Sequence, residues 1–274
     1  MAFADDLMGK ADEIEELAKM ACLVHWKGIM DAPDSFGIRD TYEPFTRRDP
    51  KAFDPMIEQL EVCERTLRDP IIAQHMNYVG TKTDDWQGEA ADNFIDFIGG
   101  FDTQRNNQIH LVQEVKAGLV ASQSIVEQTR TDILGIADTT IETLETFIET
   151  KEKSNQVTAL AVVSAIAVVA TGFVTAGAVA AALTIIAGAA SGAAAIRADI
   201  GGDDPFDIIN SHHEAVSKLH EAVEDQERNV GEALGDDRGT VESNMTLYLP
   251  ARPAVADDTG GDHDGFRIPT NPGS

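Results

Sequence analysis

Between Phe94 and Phe147 the chain repeats at seven-residue spacing. One series runs Phe94, Phe101, Gln108, Val115, Ser122, Thr129; the other runs Ile98, Arg105, Val112, Leu119, Val126, Ile133, Thr140, Phe147. Two interleaved series of sevens put their members on one seam of a long helix of coiled-coil type. Unbroken from Gly88 to Lys151, that helix has about 64 residues and a length of roughly 95 Å. An apolar seam of this extent has to be covered by other helices of the chain or by a second chain. Gln108, Ser122 and Thr129 weaken the seam and set its register, and Gly99-Gly100 is where a kink is expected.

Two flanking stretches can supply the cover. From Phe3 to about Gly28, Phe3, Leu7, Ala11, Ile14, Ala18, Ala21 and His25 recur at helical spacing, with Leu17 widening the stripe and Trp26 packing the helix end. Ile209, Val216, Val223 and Val230 repeat at sevens in a last helix broadened by Phe206, Leu219 and Ala233; Asp203 or Asp204 caps it and it ends near Gly235. Residues 31–52 hold Pro33, Gly37, Pro44 and Pro50 and read as a linker. Residues 236–274 are polar and rich in Asp, Gly and Pro, and read as a disordered acidic tail. With aromatic residues at 6% and Ala, Leu, Glu and Asp abundant, almost no sheet is expected. The fold class is all-α: an elongated helical bundle built on a long helix-turn-helix hairpin.

The hairpin's first arm carries Phe53, Met56, Ile57, Leu60, Cys63, Leu67, Ile71 and Tyr78. Pro70 interrupts it, with Asp69 placed to cap a new helix, so the arm is two short helices or one kinked helix. Cys22 and Cys63 lie on apolar stripes and read as free thiols in packing roles. Between the arms stands Asp84-Asp85-Trp86-Gln87-Gly88-Glu89-Ala90-Ala91-Asp92-Asn93-Phe94. Gly88 allows a sharp reversal, Trp86 packs between the helix ends, and Ala90 and Phe94 share a helical face. In Trp86, Gly88, Ala90, Ala91 and Phe94 this stretch resembles the signature of the WXG, or ESAT-like, proteins of type VII secretion, over roughly residues 53–151. The resemblance implies a secreted helical hairpin that pairs with itself or with a second WXG-like chain and engages the secretion machinery. The export signal usual in that family is Tyr followed four residues later by an acid. Here Tyr42, Tyr78 and Tyr248 are followed by Thr46, Lys82 and Arg252, so the resemblance implies a signal supplied by the second chain.

From Ser154 to Ile196 the sequence has no charge and no proline. Leu160, Val163, Ile166, Val168, Gly172 and Phe173 lead to Gly177, and Ile185, Gly188 and Gly192 follow in an Ala-rich run. A helical hairpin turning between Gly172 and Gly177 puts Lys151, Lys153 and Arg197 on one side, as a membrane hairpin would. The large residues of its first half contribute about −2.4 to −4.8 kcal/mol toward insertion. That half is only about 22 Å long against a ~30 Å hydrocarbon core. Gly188 and Gly192 permit close helix contact in lipid or in protein. Two fates stay open for residues 154–198, insertion in a membrane or burial in the bundle.

The formal net charge of −26 argues against nucleic acid, whose phosphates need clustered Lys and Arg. The acidic start, Met1 to Asp6, lacks the positive region of a secretory signal, so export is expected to proceed without a cleaved signal peptide. His212, His213 and His220 do not take metalloprotease spacing, since Ser217 stands where the second His would be. Asp262-His263-Asp264-Gly265 fails the calcium-loop register, with Gly260 and Asn271 at its ends. With no phosphate loop or nucleophile elbow, neither enzyme activity nor a cofactor is expected. The expected function is that of a non-enzymatic type VII secretion substrate or secretion-associated interaction protein. The alternative is a membrane-inserting, pore-forming-like protein acting through residues 157–196.

Overall fold

The computed structural model describes residues 2–27, 32–83, 85–153 and 200–249. Among them every element is a helix: α1 (Ala2–Trp26), α2 (Ile38–Thr46), a 3-10 turn (Pro50–Ala52), α3 (Asp54–Leu67), α4 (Pro70–Thr83), α5 (Glu89–Lys153), α6 (Pro205–Ser243) and α7 (Met245–Tyr248). The fold is all-α. The chain forms two compact units, one made of Met1–Asp54 with Val120–Glu232, the other of Pro55–Leu119 with Ala233–Ser274. Both α5 and α6 therefore contribute to each unit. α5 is helical through Gly99-Gly100.

The first unit holds most of the core. Leu7, Ala11, Ile14, Ala18 and Ala21 of α1 are fully buried, the stripe expected from their spacing, and Cys22 joins them. Alanines let helix backbones approach closely, and Ile125, Ile133, Ile136 and Leu144 of α5 with Ile208 and Val216 of α6 supply the bulk. Of the two candidate caps for α6, Asp204 is the one used: its carboxylate accepts the Phe206 and Asp207 N–H groups at 2.8 and 3.0 Å. Gly202, just before it, sits where an added Cβ would lie 2.3 Å from the Asp207 Cβ and 2.9 Å from the Ile208 nitrogen. Gly202→Ala should therefore cost about 1–3 kcal/mol and lower the melting temperature by several degrees. Gly239→Ala, in open space inside α6, should leave it unchanged or raise it. Calorimetry of the two variants checks the contrast.

Residues 31–52, read from sequence as a linker, contain the nine-residue helix α2. The reason is tertiary. The Glu15 carboxylate on α1 accepts the N–H groups of Phe36 (2.8 Å) and Ile38 (3.1 Å) and the Ser35 hydroxyl (3.1 Å), so a side chain from another helix satisfies donors at the start of α2. Gly37, at φ 75°, makes the left-handed entry. Burial of Ile38, Tyr42 and Phe45 on one face offsets the bond lost at Pro44.

The second unit is sparsely buried. α3 has no buried residue and α4 only Thr83. The Asp69 carboxylate accepts the Ile71 N–H at 2.9 Å and Pro70 opens α4, so the first arm is two helices. Cys63 is exposed, and its apolar-face assignment is corrected: α3 leaves that side open. Glu64 of α3 accepts from Gln113 (2.7 Å) and Lys116 (2.9 Å) of α5 and from Arg68 (3.1 Å). The Lys116 ammonium in particular holds its carboxyl below the usual carboxylate range.

Residues 236–249 also depart from the expected tail. α6 continues past Gly235 to Ser243, and α7 follows. The amides of Gln104, Asn107 and Gln108 donate to the carbonyls of Thr246, Leu247 and Tyr248 at 3.3, 2.8 and 2.6 Å. Three side chains on one face of α5 thus satisfy backbone carbonyls of this short terminal segment. Residues 250–274 of the expected tail lie outside the described residues.

Candidate functional site

The turn at Trp86 joins α4 to α5. Thr83, nearly inaccessible, ends α4 by turning its hydroxyl back to the carbonyls of Gly80 (2.9 Å) and Val79 (3.2 Å). The Trp86 N–H then bonds the Thr83 carbonyl at 2.9 Å. Gly88 has φ 103°, a backbone conformation an L side chain rarely adopts, and its carbonyl accepts from Ala91 (2.9 Å) and Asp92 (3.1 Å) to start α5. The glycine is thus required by the turn.

The Trp86 ring stacks on Phe94, with centroids 5.5 Å apart and planes 25° apart, and Phe94 in turn faces Phe97 at 6.3 Å. Trp86 and Phe94, eight residues apart in sequence, are brought together by the reversal, and both remain half-buried. Ala91 is the fully buried small residue here, while Ala90 lies in the first turn of α5. Sequence reading did not single out Phe97 or Thr83. Phe97 lies three residues after Phe94, and that helical spacing is the signal that could have found it.

Along the arms of this unit apolar side chains stay in water: Ile71 is 53% and Tyr78 64% exposed, with Met56, Val62 and Ile95 also open. Such a set, spread over α3, α4 and the start of α5, is characteristic of a surface meant to be covered. What the described residues of the turn provide is shape, aromatic surface and a fixed backbone reversal.

A second constellation lies in the first unit. His212 of α6 has no solvent exposure; its Nδ1 is 2.9 Å from the Thr140 hydroxyl of α5, and its ring meets Tyr42 of α2 at 5.4 Å between centroids. The Thr140 hydroxyl proton goes to the Ile136 carbonyl at 2.8 Å, which makes Nδ1–H the donor of the histidine bond. His212 Nε2 and the Tyr42 hydroxyl have no hydrogen-bond partner among the described residues. Burial, with His213 adding to it, pushes the His212 imidazole down to about 3; burial and the Asp138 charge push the Tyr42 phenol up. Next to it His213 bonds Thr41 (3.3 Å) and the Phe36 carbonyl (3.1 Å), fastening the entry to α2. Among the described residues no group of three or more His, Cys, Asp or Glu side chains could hold a metal ion. His212, first considered for metal-ligand spacing, is a core histidine.

Leu160, Val163, Ile166, Val168, Gly172, Phe173, Gly177, Ile185, Gly188 and Gly192, the candidate membrane or packing segment, lie outside the described residues. Among the described residues no helix is long and apolar enough to cross a membrane.

The fold and the turn together define an all-α protein with a helical hairpin reversing at a Trp–Gly step. No family model matches the chain, and no curated protein or solved structure shows significant similarity to it.

Proposed function

We propose that this chain is a non-enzymatic interaction protein, a type VII secretion substrate or secretion-associated partner that acts through its WXG-like hairpin. The observation that supports this most is the Trp86 turn: a tryptophan stacked on Phe94 beside a left-handed Gly88, after a first arm that leaves Ile71 and Tyr78 in water. A hairpin whose first arm, α3 and α4, buries only Thr83 suits a surface completed by a second hairpin, from another copy or from a WXG-like partner. In this reading the partner supplies the export signal that the tyrosines of this chain do not match. Association with a membrane rests on the sequence of residues 157–196 alone.

Replacing Ile71 and Tyr78 by Glu tests the surface. Both are exposed, so helicity should stay at the wild-type level. Sedimentation of the full chain, alone and with the product of the adjacent gene, should show association weakened on the order of tenfold or more. Unchanged association would remove α4 from the proposed interface.

A further inference from the structure

We propose that His212 is an acid-sensitive latch, whose protonation loosens the packing of α2 against α5 and α6 in the first unit. The geometry carries the argument. His212 is fully enclosed where side chains of three helices meet, with Thr140 from α5 on Nδ1, Tyr42 from α2 against its ring, and its own helix behind it. A proton added at Nε2 has no acceptor among the described residues, so the imidazolium would be a buried, half-satisfied cation.

The neighbouring groups do not relieve it. Tyr42 presents a neutral phenol, and His213 on the same helix adds repulsion when charged. Asp138 of α5 acts on Tyr42 and is bound to Lys10 of α1. The structure therefore selects the neutral imidazole, and acid selects any state in which His212 reaches water.

The direction follows from linkage. The histidine titrates at about 3 when folded, against 6.5 in the open chain, so its contribution is fully present above 6.5 and is lost as the pH falls from there toward 3. At about pH 4.5 the opening equilibrium of this unit shifts toward the open form on the order of 100-fold relative to neutral pH. Carboxylates taking up protons over the same range reduce a net charge of −26 and act in the opposite sense. The His212 effect is therefore read as a difference between wild type and variant.

Hydrogen exchange in α2, followed by mass spectrometry on the full chain at about pH 7 and 4.5 and corrected for intrinsic rates, provides that difference. His212→Gln and His212→Phe should keep protection in α2 at the lower pH where wild type loses it by roughly two orders of magnitude, while His213→Gln should behave as wild type. If both His212 variants fail to fold, imidazole NMR of the wild-type chain decides. The His212 resonance should stay neutral down to the pH at which α2 opens. Titration of His212 near 6.5 in the folded chain, or equal loss of protection in wild type and His212 variants, would overturn the latch. Because the readout lies in α2, it is independent of whether the Trp86 hairpin binds a partner.

Discussion

Leu144→Ala should lower the stability of the first unit by about 2–5 kcal/mol, the largest effect of any single truncation considered for this chain. Leu144 has no exposed surface and lies on α5 in a deeply buried run with Ile133, Ile136 and Ala137. Removing its isobutyl group loses transfer free energy and leaves a void that rigid flanking helices fill only in part. The chain supplies its own reporters, since Trp26 lies in the first unit and Trp86 in the second. In a Trp86→Phe background, the urea midpoint followed by Trp26 fluorescence should fall sharply for Leu144→Ala. A truncation at exposed Ile71 should change stability by about 0.5 kcal/mol or less. A midpoint insensitive to Leu144→Ala would mean that α5 is not packed as described.

Trp86→Ala should act differently, on the turn and on binding. The ring is half-buried and stacked on Phe94 5.5 Å away, so its removal strips aromatic contact from the start of α5 and leaves Phe94 its stack on Phe97. Loss of the aromatic pair and part of its burial amounts to about 1–3 kcal/mol in the second unit. That unit buries little within its own chain, so the loss is a large share of its stability. Hydrogen exchange in α4 and the first turns of α5 should accelerate, whereas Trp86→Phe, which keeps a ring on Phe94, should recover most of the protection. Equal exchange in the two variants would show that the stack does not hold the reversal.

What was readable in the sequence divides along physical lines. The stripe Leu7, Ala11, Ile14, Ala18, Ala21 and the Asp69-Pro70 start of α4 are local signals, periodicity and capping, and they appear where the residues put them. α2 was hidden because its capping acid, Glu15, belongs to another helix. The helical extension to Tyr248 was hidden because it is held by Gln104, Asn107 and Gln108, side chains of another helix, of which only Gln108 was singled out, and then as a weak point of the seam. Gln108 in particular serves as a donor to the Tyr248 carbonyl. His212 carries no sequence mark of its burial: its neighbours Tyr42 and Thr140 come from two other helices. The Trp86 turn was legible because its parts lie within a dozen residues, while the open faces of α3 and α4 emerge only from the packing.

The central claim is that the Trp86 hairpin is an interaction device for export. The most direct measurement compares wild type, Trp86→Phe and Trp86→Ala, each alone and with a second WXG-like chain, for complex formation by sedimentation and for appearance outside cells carrying a type VII system. The account predicts that Trp86→Ala loses at least about tenfold in partner affinity and is not exported, with Trp86→Phe between it and wild type. Export and binding of a folded Trp86→Ala chain at wild-type levels would contradict it.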